Sequence, residues 1–276
     1  MKNFSKDPLG ERMKGQYEIR SRQLLPRRTY TIIRLDGKAF HTYTRGLNKP
    51  FDKDLIDDMD SAVVKILPEI QGARFAYVQS DEISILLTDF AEENTDAWFD
   101  GNVQKMVSVS ASLMTAEFNL RRYIRNYLNW QKNKPSEYPD EKFTLASFDS
   151  RVFTIPDRIE VMNYFIWRNN DAARNSISMV AQSLYSHKEL HGKSSADKQE
   201  MIFTKGINWN NYDKSLKNGR LIVREEYRTI DNPCGEINLS DGKPCEPAIR
   251  TRWVVKPAYK FTQFKEKLLN MIPKYE

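Results

Sequence analysis

Apolar residues near the start of the chain recur first with strand spacing and then with helical spacing. Residues 29–35 are mostly β-branched or apolar and stop at the turn-favouring pair Asp36-Gly37, so they predict a buried strand. Residues 53–68 predict a helix, because their apolar positions are four, four and three residues apart and the segment ends at a proline. Those positions are Leu55, Met59, Val63 and Ile66, and the proline is Pro68.

Two short strand-like runs follow this helix, at 74–78 and 83–87. The polar residues 79–82 separate them, which is typical of a β-hairpin. Two of these four residues are acidic, Asp81 and Glu82, and they fall at the predicted bend. The pattern therefore places two carboxylates at the end of a hairpin.

Longer elements are predicted in the next hundred residues. Residues 102–130 predict a helix, 131–142 a polar loop, and 143–153 a further strand. A second long helix is predicted over 157–185, with an apolar face and a separate polar stripe. A stripe of this kind is either a solvated helix face or part of a site. Its members are Arg168, Asp171, Asn175, Ser178 and Gln182.

The predicted order of elements is β-α-β-β-α-β. This order is typical of an α+β sandwich of the ferredoxin or polymerase-palm type, an antiparallel sheet with helices on one face. Additional helices and a basic C-terminal extension come afterwards. We assign residues 1–230 to one palm-like domain and 231–276 to an extension of unknown role that packs on the same domain.

Composition favours an intracellular protein with an anionic partner. The net charge is +6 and the sequence pI is near 9.1, and nucleic acid is the commonest anionic partner. The N-terminal residues lack the apolar segment of a signal peptide, and no stretch approaches 18 apolar residues, so we expect a soluble, cytoplasmic protein without a membrane partner. The two cysteines, Cys234 and Cys245, have no nearby histidine, so a structural zinc site is not expected.

The acidic residues suggest a divalent metal site. Asp36 follows a buried strand, and Gly37 lets its backbone carbonyl approach a ligand closely. If the first strand and the hairpin lie side by side, Asp36, Asp81 and Glu82 come together, and their mutual repulsion favours a hard cation such as Mg²⁺. Two such ions could activate an attacking hydroxyl and stabilise a leaving phosphate. The same residues are also ordinary turn residues, so spacing leaves both interpretations open.

A set of ordered motifs runs along residues 8–225. Near the acidic residues the motifs are Arg34-Leu35-Asp36-Gly37-Lys38-Ala39-Phe40-His41, Lys49-Pro50-Phe51-Asp52 and Gln79-Ser80-Asp81-Glu82. Further along they are Phe148-Asp149-Ser150-Arg151, Trp167-Arg168-Asn169-Asn170-Asp171, Arg174-Asn175-Ser176, Ala196-Asp197-Lys198 and Gly206-Ile207-Asn208-Trp209-Asn210. In this order the motifs resemble the tRNA-His guanylyltransferase superfamily.

The resemblance implies roles for individual positions. Asp36, Asp81 and Glu82 match catalytic residues. Two Mg²⁺ ions would be held by Asp36, Asp81 and the carbonyl of Gly37. The positions implied to bind or flank the nucleotide are Arg34, Lys38, His41, Lys49, Ser80, Asn175 and Lys198.

The implied reaction adds nucleotides to the 5′ end of tRNA. The RNA 5′ end is adenylylated by ATP or used as a triphosphate, and the 3′-hydroxyl of GTP or another NTP then attacks it. A homotetramer is also implied. Where the eukaryotic enzymes have His-Ile-Asn-Asn, this chain has Ala173-Arg174-Asn175-Ser176, which is similar to the guanylyltransferase-like 3′–5′ polymerases of bacteria and archaea. We therefore expect template-directed repair of 5′-truncated tRNA.

Three other functions remain open on the sequence alone. The enzyme could add a single 5′ G to tRNA-His, or its palm site could make a small nucleotide product, as cyclases of similar architecture do. The chain could also be a non-catalytic RNA-binding protein, although retained acids argue against that. Residues 121–134 combine basic and aromatic side chains, which suit either RNA binding or an aromatic stripe packed in the core.

Overall fold

Six strands form one antiparallel sheet in a computed structural model, which describes residues 7–133, 144–228 and 249–275. The strands are β1 (Tyr30–Gly37), β2 (Ala73–Gln79), β3 (Glu82–Leu87), β4 (Phe148–Ile155), β5 (Arg220–Arg228) and β6 (Ile249–Pro257). The helices are α1 (Pro8–Met13), α2 (Phe40–Tyr43), α3 (Lys53–Ile66), α4 (Val103–Asn133), α5 (Arg158–Leu184), α6 (His187–Leu190), α7 (Ser195–Thr204), α8 (Lys214–Asn218) and α9 (Lys265–Met271).

The strand order across the sheet is β4-β1-β3-β2-β5-β6. Its first four strands, with α3 after β1 and α4 after β3, form the β-α-β-β-α-β unit predicted from the sequence. The predicted α+β, ferredoxin-like palm core is therefore confirmed. In this arrangement β1 lies between β3 and β4, so the end of β1 has a strand on each side.

The two ends of helix α3 are set by the local sequence. Asp52 precedes its first residue and accepts a hydrogen bond from the Leu55 backbone N–H at 2.8 Å, which satisfies a donor that the helix itself cannot. The helix ends at Ile66, just before a tight turn that contains Pro68. Both ends agree with the predicted helix over 53–68.

Strand β4 begins five residues later than predicted. The predicted strand covered 143–153, but the regular ladder starts at Phe148. Asn119 of α4 explains the difference, because its side chain bonds both the N–H and the carbonyl of Ala146, at 2.9 and 2.8 Å. Those backbone groups are thereby satisfied without strand pairing. The predicted loop 131–142 lies mostly outside the described residues, and α4 continues through Asn133.

Helices cover both faces of the sheet. Helices α3 and α4, the two that belong to the predicted unit, pack on one face through residues such as Met59, Val63 and Phe118. The additional helix α5 packs on the other face, where Phe165 contacts Phe75 with ring centroids 4.8 Å apart. The carboxylate end of β1 thus opens beside α5.

The last described segment completes the sheet and one of its cores. Strand β6 pairs with β5 over nine residues, from Arg220 opposite Pro257 to Arg228 opposite Ile249. Leu268 of α9 is fully buried in the core on the α5 face. Residues 249–275 therefore pack against the palm-like part. Cys234 and Cys245 lie outside the described residues, and among the described helices none is long and apolar enough to cross a membrane.

Candidate active site at the end of strand β1

The end of β1 brings acidic residues from three segments together. Asp36 lies opposite Glu82 of β3 and opposite Asp149 of β4 in the antiparallel register. The Gly37 N–H donates to the backbone carbonyl of Asp81 at 3.2 Å. Paired residues in antiparallel strands present their side chains on the same face, with Cβ atoms about 4.5–5.5 Å apart. Three carboxylates therefore share one face of the sheet, and Asp81 lies at the adjoining turn.

A two-residue turn holds Asp81 at the tip of the β2–β3 hairpin. Gln79 and Glu82 form the last pair of the ladder, so Ser80 and Asp81 alone connect the strands. Ser80 has a φ of 47°, in the left-handed region that two-residue hairpin turns require. Its side chain partly offsets the effect of burial on the pKa of the Asp81 carboxyl. The turn therefore fixes Asp81 beside the end of β1.

The two aspartates carry charge that their surroundings oppose. Burial, and then the neighbouring Asp149 carboxylate, raise the pKa of Asp36, and Arg34 and Arg151 only partly offset them. Burial also raises the pKa of Asp81, with repulsion from Asp36 adding to it. Such a pair favours either a proton or a bound cation.

Glu82 is already occupied by protein partners. The Arg168 guanidinium donates to both oxygens of this carboxylate, at 2.7 and 2.6 Å, and the Gln79 amide donates at 3.1 Å. Burial opposes the charge on Arg168, but Glu82 outweighs it and raises the pKa of the guanidinium. Arg168 also binds Asp171 at 2.9 Å. The polar stripe of α5 is therefore part of the site here, and not a solvated face.

A cleft of about 600 Å³ opens next to Asp81. Its size is typical of small-molecule sites. Loop 44–52, the start of α3, the second half of α5 and residues 215–220 form its walls. Six predicted site residues line it, namely Gly37, His41, Lys49, Ser80, Asp81 and Asn175.

The other predicted residues lie around this cleft and not among its lining residues. Arg34 lies two residues before Asp36 on β1 and therefore on the same side of the strand. Lys38 is exposed just after β1, and its N–H donates to the Ser147 carbonyl at 2.8 Å. Lys198 on α7 donates to Ser178 of α5 at 3.1 Å. Glu82 lies behind the cleft, bound to Arg168.

Gly37 is required by the packing of the strand end. A Cβ placed there would lie 2.2 Å from the ring of Phe40 in α2. Phe40 is itself buried, with ring contacts to Phe118 and Phe148. The missing side chain thus lets α2 pack over the end of β1, and it leaves the Gly37 backbone beside the cleft.

The oxygen atoms at this point suit Mg²⁺. Asp36, Asp81 and the Gly37 carbonyl offer hard ligands, and a Mg²⁺ ion takes one or two carboxylates and fills its remaining positions with water and phosphate. In the part of the chain that the structure describes, no group of three or more His, Cys, Asp or Glu side chains is placed to hold a metal. The donors therefore fit an ion that shares its coordination with a nucleotide, and do not form a closed structural site.

Two important neighbours were not assigned a role from the sequence. Asp149 and Arg168 both lie in motifs that carry the family resemblance, but their contacts with Asp36 and Glu82 join residues far apart in the chain. The alternation along β4, where Asp149 and Arg151 share a face, was the signal that could have indicated Asp149. In residues 121–134, Tyr123 is 55% exposed, so of the two interpretations left open for this segment, packing in the core does not apply to that residue.

Comparison with known proteins agrees with this geometry. The family profile described as Thg1, tRNAHis guanylyltransferase, matches residues 10–156. A tRNA(His) guanylyltransferase of Debaryomyces hansenii is 31% identical over 227 residues, which cover 76% of this chain and 78% of that protein. A solved bacterial tRNA(His) guanylyltransferase (Thg1)-like protein in complex with ATP is 37% identical, with a TM-score of 0.76, over 96% of this chain and 99% of that one. The yeast enzyme from Saccharomyces cerevisiae is 25% identical with a TM-score of 0.60, over 76% of this chain and 91% of that one.

A palm-like sheet with acidic residues beside a nucleotide-sized cleft, together with these matches, defines a nucleotidyltransferase. The chain belongs to the tRNAHis guanylyltransferase (Thg1) family. The family resemblance seen in the sequence motifs is thus confirmed.

Proposed function

We propose that this protein adds nucleotides to the 5′ end of tRNA in the 3′–5′ direction and repairs 5′-truncated tRNA by copying the opposite strand. The observation that carries the proposal is that Asp36 and Asp81 come together next to a nucleotide-sized cleft, which Asp81 and Gly37 line. Ala173, which stands where eukaryotic relatives carry a histidine, supports a substrate range wider than tRNA-His. The bacterial Thg1-like neighbours, solved with ATP and with GTP, support nucleotide triphosphates as substrates.

In this proposal the cleft holds a nucleoside triphosphate. Lys49 supplies positive charge, and Ser80 and Asn175 supply polar groups for its phosphates. Asp36, Asp81 and the Gly37 carbonyl would hold two Mg²⁺ ions, which would supply charge neutralisation for in-line phosphoryl transfer. His41 lines the cleft, and Lys38, Arg34 and Lys198 add positive charge around it.

Glu82 and Arg168 are proposed to position the acidic residues. Their buried bidentate pair joins α5 to the first residue of β3, directly opposite Asp36. This contact fixes the strand end on which the reacting phosphates would be aligned. In this proposal Glu82 contributes to catalysis by positioning the acidic residues through its contact with Arg168.

The proposed chemistry has two steps. The 5′-monophosphate of the RNA first attacks the α-phosphorus of ATP, which forms a P–O–P bond and releases pyrophosphate. The 3′-hydroxyl of the incoming NTP then attacks the activated 5′ phosphorus, loses its proton, and releases AMP. An RNA that already carries a 5′-triphosphate enters at the second step and releases pyrophosphate.

A narrower function is addition of a single 5′ G to tRNA-His. The fungal relatives that carry this name favour it. Comparing truncated tRNA-His with other truncated tRNAs separates the two. We expect comparable addition to several tRNAs and addition of the nucleotide that pairs with the opposite base. Addition of G alone, and to tRNA-His alone, would favour the narrower function.

The direct test is an addition assay. The purified protein is incubated with Mg²⁺, ATP, the four NTPs and a 5′-truncated tRNA, beside the Asp36→Ala and Asp81→Ala variants. We expect growth at the 5′ end for the unmodified protein and none for either variant. Absence of growth by the unmodified protein contradicts the proposed activity, and growth that survives both substitutions contradicts the role of the acidic pair.

The proposal includes a cytoplasmic homotetramer, as the family resemblance implies. Light scattering of the purified protein measures the assembly. A mass four times that of the 32.4 kDa chain is expected, and a monomer would contradict it.

A further inference from the structure

Trp167 is a large aromatic side chain that stays exposed beside the acidic residues. It precedes Arg168 on α5, and Arg168 binds Glu82 opposite Asp36. Trp167 is 49% exposed, whereas Tyr164, one turn earlier on the same helix, is buried and bonds Ser84 of β3. The indole therefore lies at the border between the core on this face and the open surface next to the acids.

Neighbouring side chains hold the Trp167 ring in place. The edge of Tyr164 packs against it, with ring centroids 5.9 Å apart and planes at 67°. The Arg168 guanidinium carbon lies over the ring, 4.3 Å from its centroid. Arg168 is itself fixed by two carboxylates, Glu82 and Asp171. An ordered and half-exposed aromatic ring is what base stacking requires, because little conformational entropy is lost on contact.

The surface next to Trp167 includes Asp149 and Arg151 of β4, and we refer to these three residues as the open flank. This flank is exposed and carries a cation. Strand β4 is at the edge of the described sheet, where Arg151 and Asp149 form an exposed ion pair at 3.6 Å, with side chains 53% and 54% exposed. Arg151 is close enough to Asp36 to lower the pKa of that carboxyl, although burial and Asp149 outweigh it. The positive charge of Arg151 near the acids can bind a phosphate, and the Trp167 ring can stack on a base.

This flank differs in kind from the cleft. The cleft of about 600 Å³ is walled by protein and suits a mononucleotide. The terminus of an RNA helix is too large for it and needs an open approach to the same acidic pair. The flank that carries Trp167 and Arg151 offers that approach.

We propose that Trp167 stacks on the base of the 5′-terminal nucleotide of the RNA, so that the 5′ phosphate comes to lie between Arg151 and the Asp36–Asp81 pair. This inference rests on the proposed function, because it needs an RNA 5′ end at the site. Trp167 is a substrate-positioning residue in this scheme, and the nucleotide triphosphate occupies the cleft.

Fluorescence of a base analogue tests the stacking without turnover. A 5′-truncated tRNA carries 2-aminopurine as its first base and is titrated with the protein in the absence of nucleotides. Stacking on an indole quenches 2-aminopurine, so the unmodified protein is expected to lower the emission of the bound RNA. Trp167→Leu, which keeps apolar volume without a ring, should lose most of the quenching, and Trp167→Phe should retain part of it. Phe203→Ala removes another exposed aromatic, which is 60% exposed on α7, and should behave as the unmodified protein.

Kinetics supply the second measurement. Loss of one base–aromatic stack weakens binding by about tenfold in the lower part of the usual range. Trp167→Leu should therefore raise the KM for RNA about tenfold and leave the KM for ATP unchanged. Equal quenching by Trp167→Leu and the unmodified protein overturns the proposal, as does a rise confined to the KM for the nucleotide. A fall in kcat with an unchanged KM for RNA also overturns it, because that result means the ring only supports Arg168.

The outcomes separate this proposal from the proposed function. If the unmodified protein quenches the analogue through Trp167 but adds no nucleotide, the stacking proposal is supported and the proposed polymerase activity is contradicted. If the protein adds nucleotides and Trp167→Leu matches it in both measurements, the stacking alone fails. Thermal unfolding of each variant confirms that the compared proteins are folded.

Discussion

At the scale of single residues, the surroundings of Asp36 and Asp81 oppose the ionisation of both carboxyls. The pKa of each carboxyl is raised, chiefly by burial. Below the ordinary pKa the folded and the unfolded chain both hold these protons, so protonation of the two groups favours neither state. As the pH rises through the ordinary value and then the raised one, the unfolded chain releases protons first, so stability falls over that window. Above it the charged pair destabilises the metal-free fold, and a bound cation would relieve this cost.

Asp36→Asn should therefore stabilise the metal-free protein at pH 7 and leave its stability unchanged at pH 3. Thermal unfolding with a chelator present measures this effect. Added Mg²⁺ should raise the Tm of the unmodified protein much more than that of the variant, because a ligand stabilises only the state that binds it. Asp213→Asn is the control, and it should instead lower the stability of the protein at pH 7. The reason is that hydrogen bonds from Ser215 lower the pKa of that carboxyl. A lower Tm for metal-free Asp36→Asn at pH 7 would contradict the electrostatic account.

Glu82→Gln should destabilise the protein by about 3 kcal/mol, because it leaves the buried Arg168 charge without its main partner. Both side chains are about nine-tenths buried, at 11% and 8% exposure. Urea unfolding gives the value. Glu225→Gln is the matched control, since Glu225 pairs with Lys256 on the surface and should change stability by less than about 1 kcal/mol. Equal losses in the two variants would show that the Glu82–Arg168 pair has no special structural role.

At the scale of elements, the end of β1 depends on how α2 packs over it. Gly37→Ala should lower the free energy of unfolding by about 1–3 kcal/mol, because the new methyl group meets the Phe40 ring and the packed neighbours cannot move freely. It should also reduce nucleotide addition, since the displaced backbone includes the Gly37 carbonyl. Gly15→Ala, where a Cβ meets nothing within 4 Å, is the control and should be nearly neutral. Denaturant unfolding and the addition assay measure both effects, and an unaltered Gly37→Ala protein would contradict this description of the strand end.

Elements with a regular apolar period were predictable, and contacts between distant elements were not. The periods in β1, α3 and the β2–β3 hairpin place their boundaries within a residue or two. The same pattern suggested that Asp36, Asp81 and Glu82 meet, because adjacent strands end at the same edge. It did not reveal that Arg168 binds Glu82, since those residues are 86 positions apart. A polar stripe at helical spacing looks the same whether it faces water or a buried carboxylate.

At the scale of the whole molecule, the site has two approaches to one acidic pair. The walled cleft is lined by Gly37 and Asp81. The exposed Trp167 of the open flank precedes Arg168, which binds Glu82 opposite Asp36. The additional helix α5 contributes to both, because Asn175 lines the cleft and Trp167 borders the flank. This arrangement suits a reaction that joins a free nucleotide to the end of a polymer.

The C-terminal segment should unfold together with the palm-like part. Leu268→Ala removes a fully buried side chain from the core that α9 shares with α5, so a loss of about 2–5 kcal/mol is expected in a single cooperative transition. Leu9→Ala, at a residue that is 58% exposed, should stay within about 0.5 kcal/mol of the unmodified protein. Denaturant unfolding followed by two optical probes measures both variants. A separate early transition for residues 249–275 would contradict a shared core.

The direction of synthesis is the central claim, and the fate of the γ-phosphate tests it most directly. The protein is given a tRNA that lacks only its 5′-terminal nucleotide, a G, together with ATP, Mg²⁺ and GTP labelled at its γ-phosphate, so that no second templated addition can displace the label. If the 3′-hydroxyl of GTP attacks the RNA 5′ end, the added nucleotide keeps its triphosphate and the label stays on the new 5′ end. Asp36→Asn and Asp81→Asn should give no labelled RNA. Nucleotide addition with the label released as pyrophosphate would contradict the account, because the RNA would then have attacked GTP in the ordinary direction.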